Sequence, residues 1–223
     1  MRVVRDDPDR PDPGFAELYA SLPEPEGLEP WLSLCQRAQP PVLYLGIGAA
    51  RIAQPLERRG VELVGVDVHP GMLAAARERL PQAELVQGRI EELDLGRRFD
   101  LVMAPSNILN TAARLQGAAR LLADGGRLAF ELMNPHWLEA GGNPGVRVLK
   151  LQRESAEIEV DYPGGFVQPA EVRLVWPEEI EDFVGDAGLD LVRMWGSADD
   201  LEAAATFYVL ATRPAAGSPP AAT

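Results

Sequence analysis

Cysteine is almost missing from this chain: Cys35 is the only one in 223 residues. No internal disulfide can form and no cysteine metal cluster exists. Cys35 falls on an apolar helical pattern, which suits a buried thiol better than a nucleophile. Histidine occurs twice, at His69 and His136, and no spacing of His, Asp and Glu suggests a metal site. Lysine occurs once, at Lys150, so arginine carries nearly all the positive charge. Even so, 21 basic residues stand against 34 acidic ones, a formal net charge of −13. A surface of that sign repels phosphate, so neither nucleic acid nor an anionic membrane is expected as a partner. No apolar stretch approaches the ~20 residues of a membrane helix. Met1 to Pro8 lacks a signal-peptide core. A soluble, cytoplasmic protein is the expectation. No Gly-x-Ser-x-Gly or Walker pattern is present, which removes the commonest hydrolase and nucleotide-triphosphatase signatures.

What the chain does have is an ordered alternation of short apolar runs and helix-forming segments. Pro41-Val42-Leu43-Tyr44-Leu45 is too short for a helix and suits a buried parallel strand. It ends at Gly46-Ile47-Gly48, two glycines one residue apart, followed by a helical segment. A second run, Val61 to Val66, ends in Asp67. A strand, a tight glycine turn, a helix and a second strand tipped by a carboxylate make half of a nucleotide-binding α/β fold. Strands are expected near 42–45, 62–67, 83–87, 99–104 and 126–132, with helices near 50–59, 71–80 and 107–123. Gly60, Gly125 and Gly126 fall where helix C-caps belong. Alternation of this kind implies right-handed crossovers and a parallel sheet covered on both faces. Residues 1–13, rich in Asp and Pro, are expected to be disordered, as is the Pro/Ala tail 214–223. Between 134 and 175 the texture changes to alternating runs separated by Gly and Pro. That pattern predicts an inserted antiparallel ribbon on the substrate side of a single domain spanning 14–213. A Pro-led helix near Trp176-Pro177 and strands at Leu189–Trp195 and Thr206–Thr212 complete the pattern.

The dinucleotide fingerprint needs glycine at its first, third and sixth positions, and counting from Gly46 the sixth is Arg51. An NAD-linked oxidoreductase is therefore a poor reading. The further segments are Asp67-Val68-His69-Pro70-Gly71-Met72, Glu84-Leu85-Val86-Gln87-Gly88-Arg89, Phe99 to Ala104, and Leu121 to Phe130. Taken in order, the series resembles the class I S-adenosylmethionine-dependent methyltransferases, especially bacterial enzymes acting on small molecules. The likeness runs over roughly residues 15–213. It implies a Rossmann-like, doubly wound, mostly parallel sheet whose last strand is antiparallel. It also implies S-adenosylmethionine as cofactor and a small organic molecule as methyl acceptor.

By resemblance, Gly46 and Gly48 border the methionine part of the cofactor and Asp67 accepts hydrogen bonds from the ribose hydroxyls. Its rival role is capping the following helix. Val68 and Met72 would flank the adenine, although a helical Met at that spacing also suits plain core packing. The chain departs from the family at Tyr44, where most members have an acid that helps hold the cofactor's amino group. It departs again at Arg89, where an acid often reads the adenine amino group. Arginine has donors only, so main-chain atoms near Gly88 and Ile90 would have to substitute. Asn107, past the fourth core strand, is a candidate to orient cofactor or substrate, or else a helix cap. Tyr19 matches a position where related enzymes place a Tyr over the methionine end. His136 leaves the fifth strand toward the substrate side, and either it or Tyr19 is a candidate general base. Trp137, Phe166 and Trp195 are candidates for an apolar acceptor pocket. The leading expectation is methyl transfer to oxygen or nitrogen. The rival, raised by Tyr44 and Arg89, is a methyltransferase-fold protein with altered or lost cofactor binding that serves as a binding or assembly partner.

Overall fold

The computed structural model describes residues 1–215 apart from Pro144 and Asp199. In chain order the elements are β1 (Arg2–Val3), α1 (Pro13–Ser21), α2 (Trp31–Cys35), β2 (Val42–Leu45), α3 (Ala53–Glu57), β3 (Leu63–Asp67), α4 (Pro70–Arg79), β4 (Glu84–Gln87) and β5 (Phe99–Ala104). They continue with α5 (Ala112–Arg120), β6 (Leu122–Met133), α6 (Pro135–Glu139), β7 (Val146–Leu151), β8 (Ser155–Tyr162), β9 (Phe166–Arg173), α7 (Ile180–Gly185), β10 (Asp190–Gly196) and β11 (Thr206–Thr212).

Seven strands form the main sheet in the order β10-β11-β6-β5-β2-β3-β4. The β6-β5, β5-β2, β2-β3 and β3-β4 pairs are parallel, whereas β11 runs antiparallel to both β6 and β10. The strand order reverses between β5 and β2. In open α/β sheets ligands bind at such a switch point, outside the carboxyl ends of the strands. Both faces are covered, because alternate residues of every inner strand are apolar. Leu43, Leu45, Val102, Leu128, Phe130 and Val209 pack on one face. Tyr44, Leu101, Met103 and Ala129 pack on the other, beneath Trp31 and Cys35 of α2.

The 134–175 insertion is more than a ribbon. β7, β8 and β9 pair antiparallel, and β1 adds to β9 in parallel to give a second, four-stranded sheet. Its apolar face is centred on Leu138, Ala156, Ile158 and Leu174. The N-terminal arm therefore corrects the expectation of disorder. Val3 pairs with Val167, Val4 donates its N–H to the Val167 carbonyl at 3.0 Å, and the Val4 side chain is fully buried against Phe15 and Leu18. Two adjacent valines anchor a segment whose Asp and Pro content alone would leave it loose. The expected tail lies almost wholly outside the described residues.

Three helix expectations shift. The helix after the glycine turn spans only 53–57, with further turns before it. The expected 107–123 helix begins at Ala112, capped by the Thr111 side chain. Gly125 and Gly126 are not caps but lie inside β6, where the β5–β6 register jumps between Phe99/Leu122 and Leu101/Arg127.

Candidate functional site

The carboxyl ends of β2 and β3 meet in one turn. Gly46 and Gly48 both have left-handed backbones, with φ of 67° and 56°, and Ala50 follows at 61°. The two glycines differ in what surrounds them. A Cβ on Gly46 would lie 2.6 Å from Ile108 Cδ1, whereas one on Gly48 would meet nothing within 4 Å. The space beside Gly48 is open.

Asp67 stands at that opening. Its Oδ2 accepts the Gly48 N–H and its Oδ1 accepts the His69 N–H, both at 2.8 Å. Each carboxylate oxygen retains a lone pair, so two vicinal hydroxyls could bond the same group. Burial pushes the Asp67 carboxyl up from its usual range, and the two backbone donors pull it back. Asp67 does not cap α4. The cap is His69, whose Nδ1 accepts from Gly71 and Met72 at 3.1 and 3.3 Å. With Nδ1 an acceptor, the ring proton sits on Nε2 and is donated to the Asp12 carbonyl at 3.1 Å.

The remaining expected residues divide. Val68 and Gly88 lie beside Asp67: the Gly88 N–H bonds the Asp67 carbonyl at 3.1 Å and the Gln87 side chain bonds the Val68 carbonyl at 3.1 Å. Ile90 starts a short 3-10 turn whose carbonyl presses on Gly117. Met72 is 3% exposed and packs with Val4, Phe15 and Leu18, a core position. Arg89 pairs with Asp9 of the N-terminal arm. Asp6 of the same arm has its carboxyl pushed up by desolvation and by the charge of Asp67. Residues 5–12 thus run over the Asp67 turn, a cover that the sequence reading missed.

Asn107 caps no helix. Its Oδ1 accepts the Met133 N–H at 3.1 Å, and its Nδ2 is the one buried side-chain polar atom left without a partner among the described residues. Tyr19 meets Tyr162 hydroxyl to hydroxyl at 3.1 Å, while Tyr162 donates to Gln168 at 3.0 Å. Tyr19 is therefore the donor of that pair. Burial raises its phenol well above the usual range, so it stays protonated and serves as a donor rather than a base. His136 is held elsewhere. Its Nε2 lies 2.6 Å from Glu178, its Nδ1 is 3.5 Å from Glu139, and its ring meets Trp176 edge-on. The Glu178 hydrogen bond raises its pKa, and both ring nitrogens face carboxylates at the α6 turn. Trp137 packs in the second sheet's core, and Phe166 sits in the cluster of Val4.

Tyr44 is 3% exposed, on the α2 face of the sheet. Burial drives its phenol far up, and the charges of Glu131 and Asp67 add to the rise. Cys35, beneath it, is pushed by burial to about 12, which makes the thiol inert. Glu131 escaped the sequence reading, although an acid inside the run Leu128-Ala129-Phe130-Glu131-Leu132 was visible there. Among the described residues no group of three or more His, Cys, Asp or Glu is arranged to hold a metal. No helix among them is long and apolar enough to cross a membrane.

Comparison with known proteins agrees with this geometry. Residues 42–126, from β2 into β6, match a family model described as a methyltransferase domain. A ubiquinone biosynthesis O-methyltransferase of Azorhizobium caulinodans is 29% identical over 167 residues, 71% of this chain and 62% of the relative. The chain thus spans less than two thirds of that relative's length. The structure of the CcbJ methyltransferase of Streptomyces caelestis superposes with a TM-score of 0.70 at 25% identity, covering 91% of this chain and 96% of the other. CalS10, an amino pentose methyltransferase of Micromonospora echinaspora solved with S-adenosylmethionine bound, shares the fold at a TM-score of 0.63 and 22% identity, covering 90% of each chain. The switch point, the glycine turn and the strand-tip carboxylate all lie within the matched stretch, so residues 42–126 resemble a methyltransferase domain and the chain shares the fold of these methyltransferases.

Proposed function

We propose that this protein transfers a methyl group from S-adenosylmethionine to an oxygen or nitrogen of a small organic acceptor. The single observation that carries the reading is Asp67, held by two backbone donors with a free lone pair on each oxygen, beside the open flank of Gly48. The pair fits an adenosyl group: the carboxylate accepts from both ribose hydroxyls, and the missing Cβ leaves room for the ligand's chain. When bound, the cofactor supplies an activated methyl on a sulfonium. The chain's own contribution is alignment, which for in-line transfer accounts for most of the rate. Tyr19 stays protonated with its one proton given to Tyr162, so toward a ligand it offers an oxygen lone pair and its ring. The unpartnered Asn107 Nδ2 is a donor at the end of β5. Arg89 is turned to Asp9, so adenine recognition falls to main-chain atoms near Gly88 and Ile90.

The acidic composition favours a small-molecule acceptor over nucleic acid, and the amino pentose methylated by CalS10 points the same way. The test uses S-adenosylmethionine labelled in its methyl group with a panel of small amines, phenols and alcohols. The expected result is acceptor-dependent formation of S-adenosylhomocysteine. Absence of binding by either adenosyl compound at millimolar concentration would leave only the non-catalytic reading, which the arm over the Asp67 turn would then favour.

A further inference from the structure

Glu131 is an acid in the wrong place for a purely structural strand. Its neighbours along β6, Phe130 and Leu132, are fully buried. It lies directly across from Tyr208 on β11, and Tyr208 lies across from Trp195 on β10. The three form one cross-strand row on the face that also carries Tyr44, and each is half-buried, so the row is reachable from outside. Tyr208 is walled by Trp31, edge-on at 5.7 Å, and by Trp195 at 5.5 Å. Arg193 already lies over the outer ring at 5.0 Å, so this wall holds a cation at its far end.

Burial pushes the Glu131 carboxyl up, and only the Thr206 side chain hydrogen-bonds it downward; no cation partners it among the described residues. A partly buried carboxylate without a positive partner is costly, and an aromatic wall next to it is the complement of an organic cation. Position ties the row to the methyl-transfer site. Tyr44 stands at the end of β2 and feels the charges of both Glu131 and Asp67. Asn107, with its unpartnered Nδ2, is fixed to Met133 two residues beyond Glu131.

We propose that Glu131 and Tyr208 form a recognition site for an alkylammonium group. Two sources share that chemistry: a protonated amine on the acceptor, and the α-ammonium of the cofactor's amino-acid end. Naming these sources rests on the methyl-transfer reading; the ammonium site itself does not.

The experiment titrates the protein with tetramethylammonium chloride against equimolar sodium chloride and follows tryptophan fluorescence. It is run without ligand, with saturating S-adenosylhomocysteine, and with saturating 5′-methylthioadenosine, which lacks the amino-acid end. The ligand-free protein is expected to give a saturable response to tetramethylammonium, with half-saturation at least tenfold lower than in Glu131→Gln. Circular dichroism confirms that this isosteric variant folds. Tyr208→Leu, which removes the ring and keeps the charge, is expected to weaken the response likewise and decides the question if Glu131→Gln does not fold. Persistence of the response under S-adenosylhomocysteine assigns the site to the acceptor. Loss under S-adenosylhomocysteine but not under methylthioadenosine assigns it to the cofactor, and Glu131→Gln then weakens S-adenosylhomocysteine at least tenfold and spares methylthioadenosine. A response equal to that of sodium chloride, or one unchanged in both variants, overturns the proposal. If neither adenosyl compound binds the wild type, the methyl-transfer reading fails, and the ligand-free titration still decides the ammonium site.

Discussion

Single residues carry the sharpest consequences, and the two glycines of the turn show why identity matters less than surroundings. Both need a left-handed backbone, which costs an alanine about 1–2 kcal/mol. Gly46→Ala adds a collision with Ile108, whereas Gly48→Ala enters open space. Chemical denaturation should therefore find Gly46→Ala the less stable variant, by about 1 kcal/mol or more beyond the shared backbone penalty. Gly48→Ala should keep most of its stability and lose cofactor affinity instead. Equal stabilities would mean that Ile108 yields freely. His136 gives a second expectation at this scale. Its pKa is raised above 6.5, chiefly by the hydrogen bond to Glu178. A raised histidine stabilises the fold fully below its unfolded pKa, and the contribution fades as pH climbs through the folded value. NMR titration should place its midpoint above 6.5, and Glu178→Gln should lower it. His136→Gln should leave turnover nearly unchanged; a large loss would restore it as a base.

Elements were legible in proportion to their apolar content. β2, β5 and β11 stand where their buried runs predicted, and β3 and β4 are within one residue of it, because an unbroken apolar segment of that length has few other places to go. β9 was hidden because Pro163, Gly164, Gly165 and Pro169 break up the alternation around it, although the last sits within the strand. β1 is only two residues long and takes its order from β9, a partner more than 160 residues away in the chain, so no local pattern could announce it. The start of β6 was obscured because its glycine pair resembles a helix stop. Its buried half, by contrast, forms the centre of the sheet between β5 and β11. Phe130 there is fully buried, and Phe130→Ala is expected to cost about 3–5 kcal/mol in denaturant unfolding. A loss below about 1 kcal/mol would show that the sheet closes over the gap.

At the scale of the whole molecule, the architecture and the meeting of the Gly48 turn with Asp67 could be read from the residues, since five ordered segments constrain each other. The cover by residues 5–12, the Tyr19–Tyr162 contact and the Glu131 row could not, because each joins parts of the chain that only the fold brings together. A ligand in that corner bridges the turn after β2 to the tip of β3. At a hundredfold its Kd it should stabilise the protein by about 2.7 kcal/mol, raising Tm by roughly 5–10 °C for a chain of this size. A flat melting curve would mean that the arm keeps the ligand out. The central claim is that Asp67 holds an adenosyl ribose, and isothermal titration of S-adenosylhomocysteine into the wild type and Asp67→Ala tests it most directly. The account predicts one-site binding to the wild type, weakened by roughly tenfold or more in the variant, as expected for lost hydrogen bonds to a charged acceptor. Equal affinity in the two proteins, or no binding to the wild type at millimolar ligand, would contradict it.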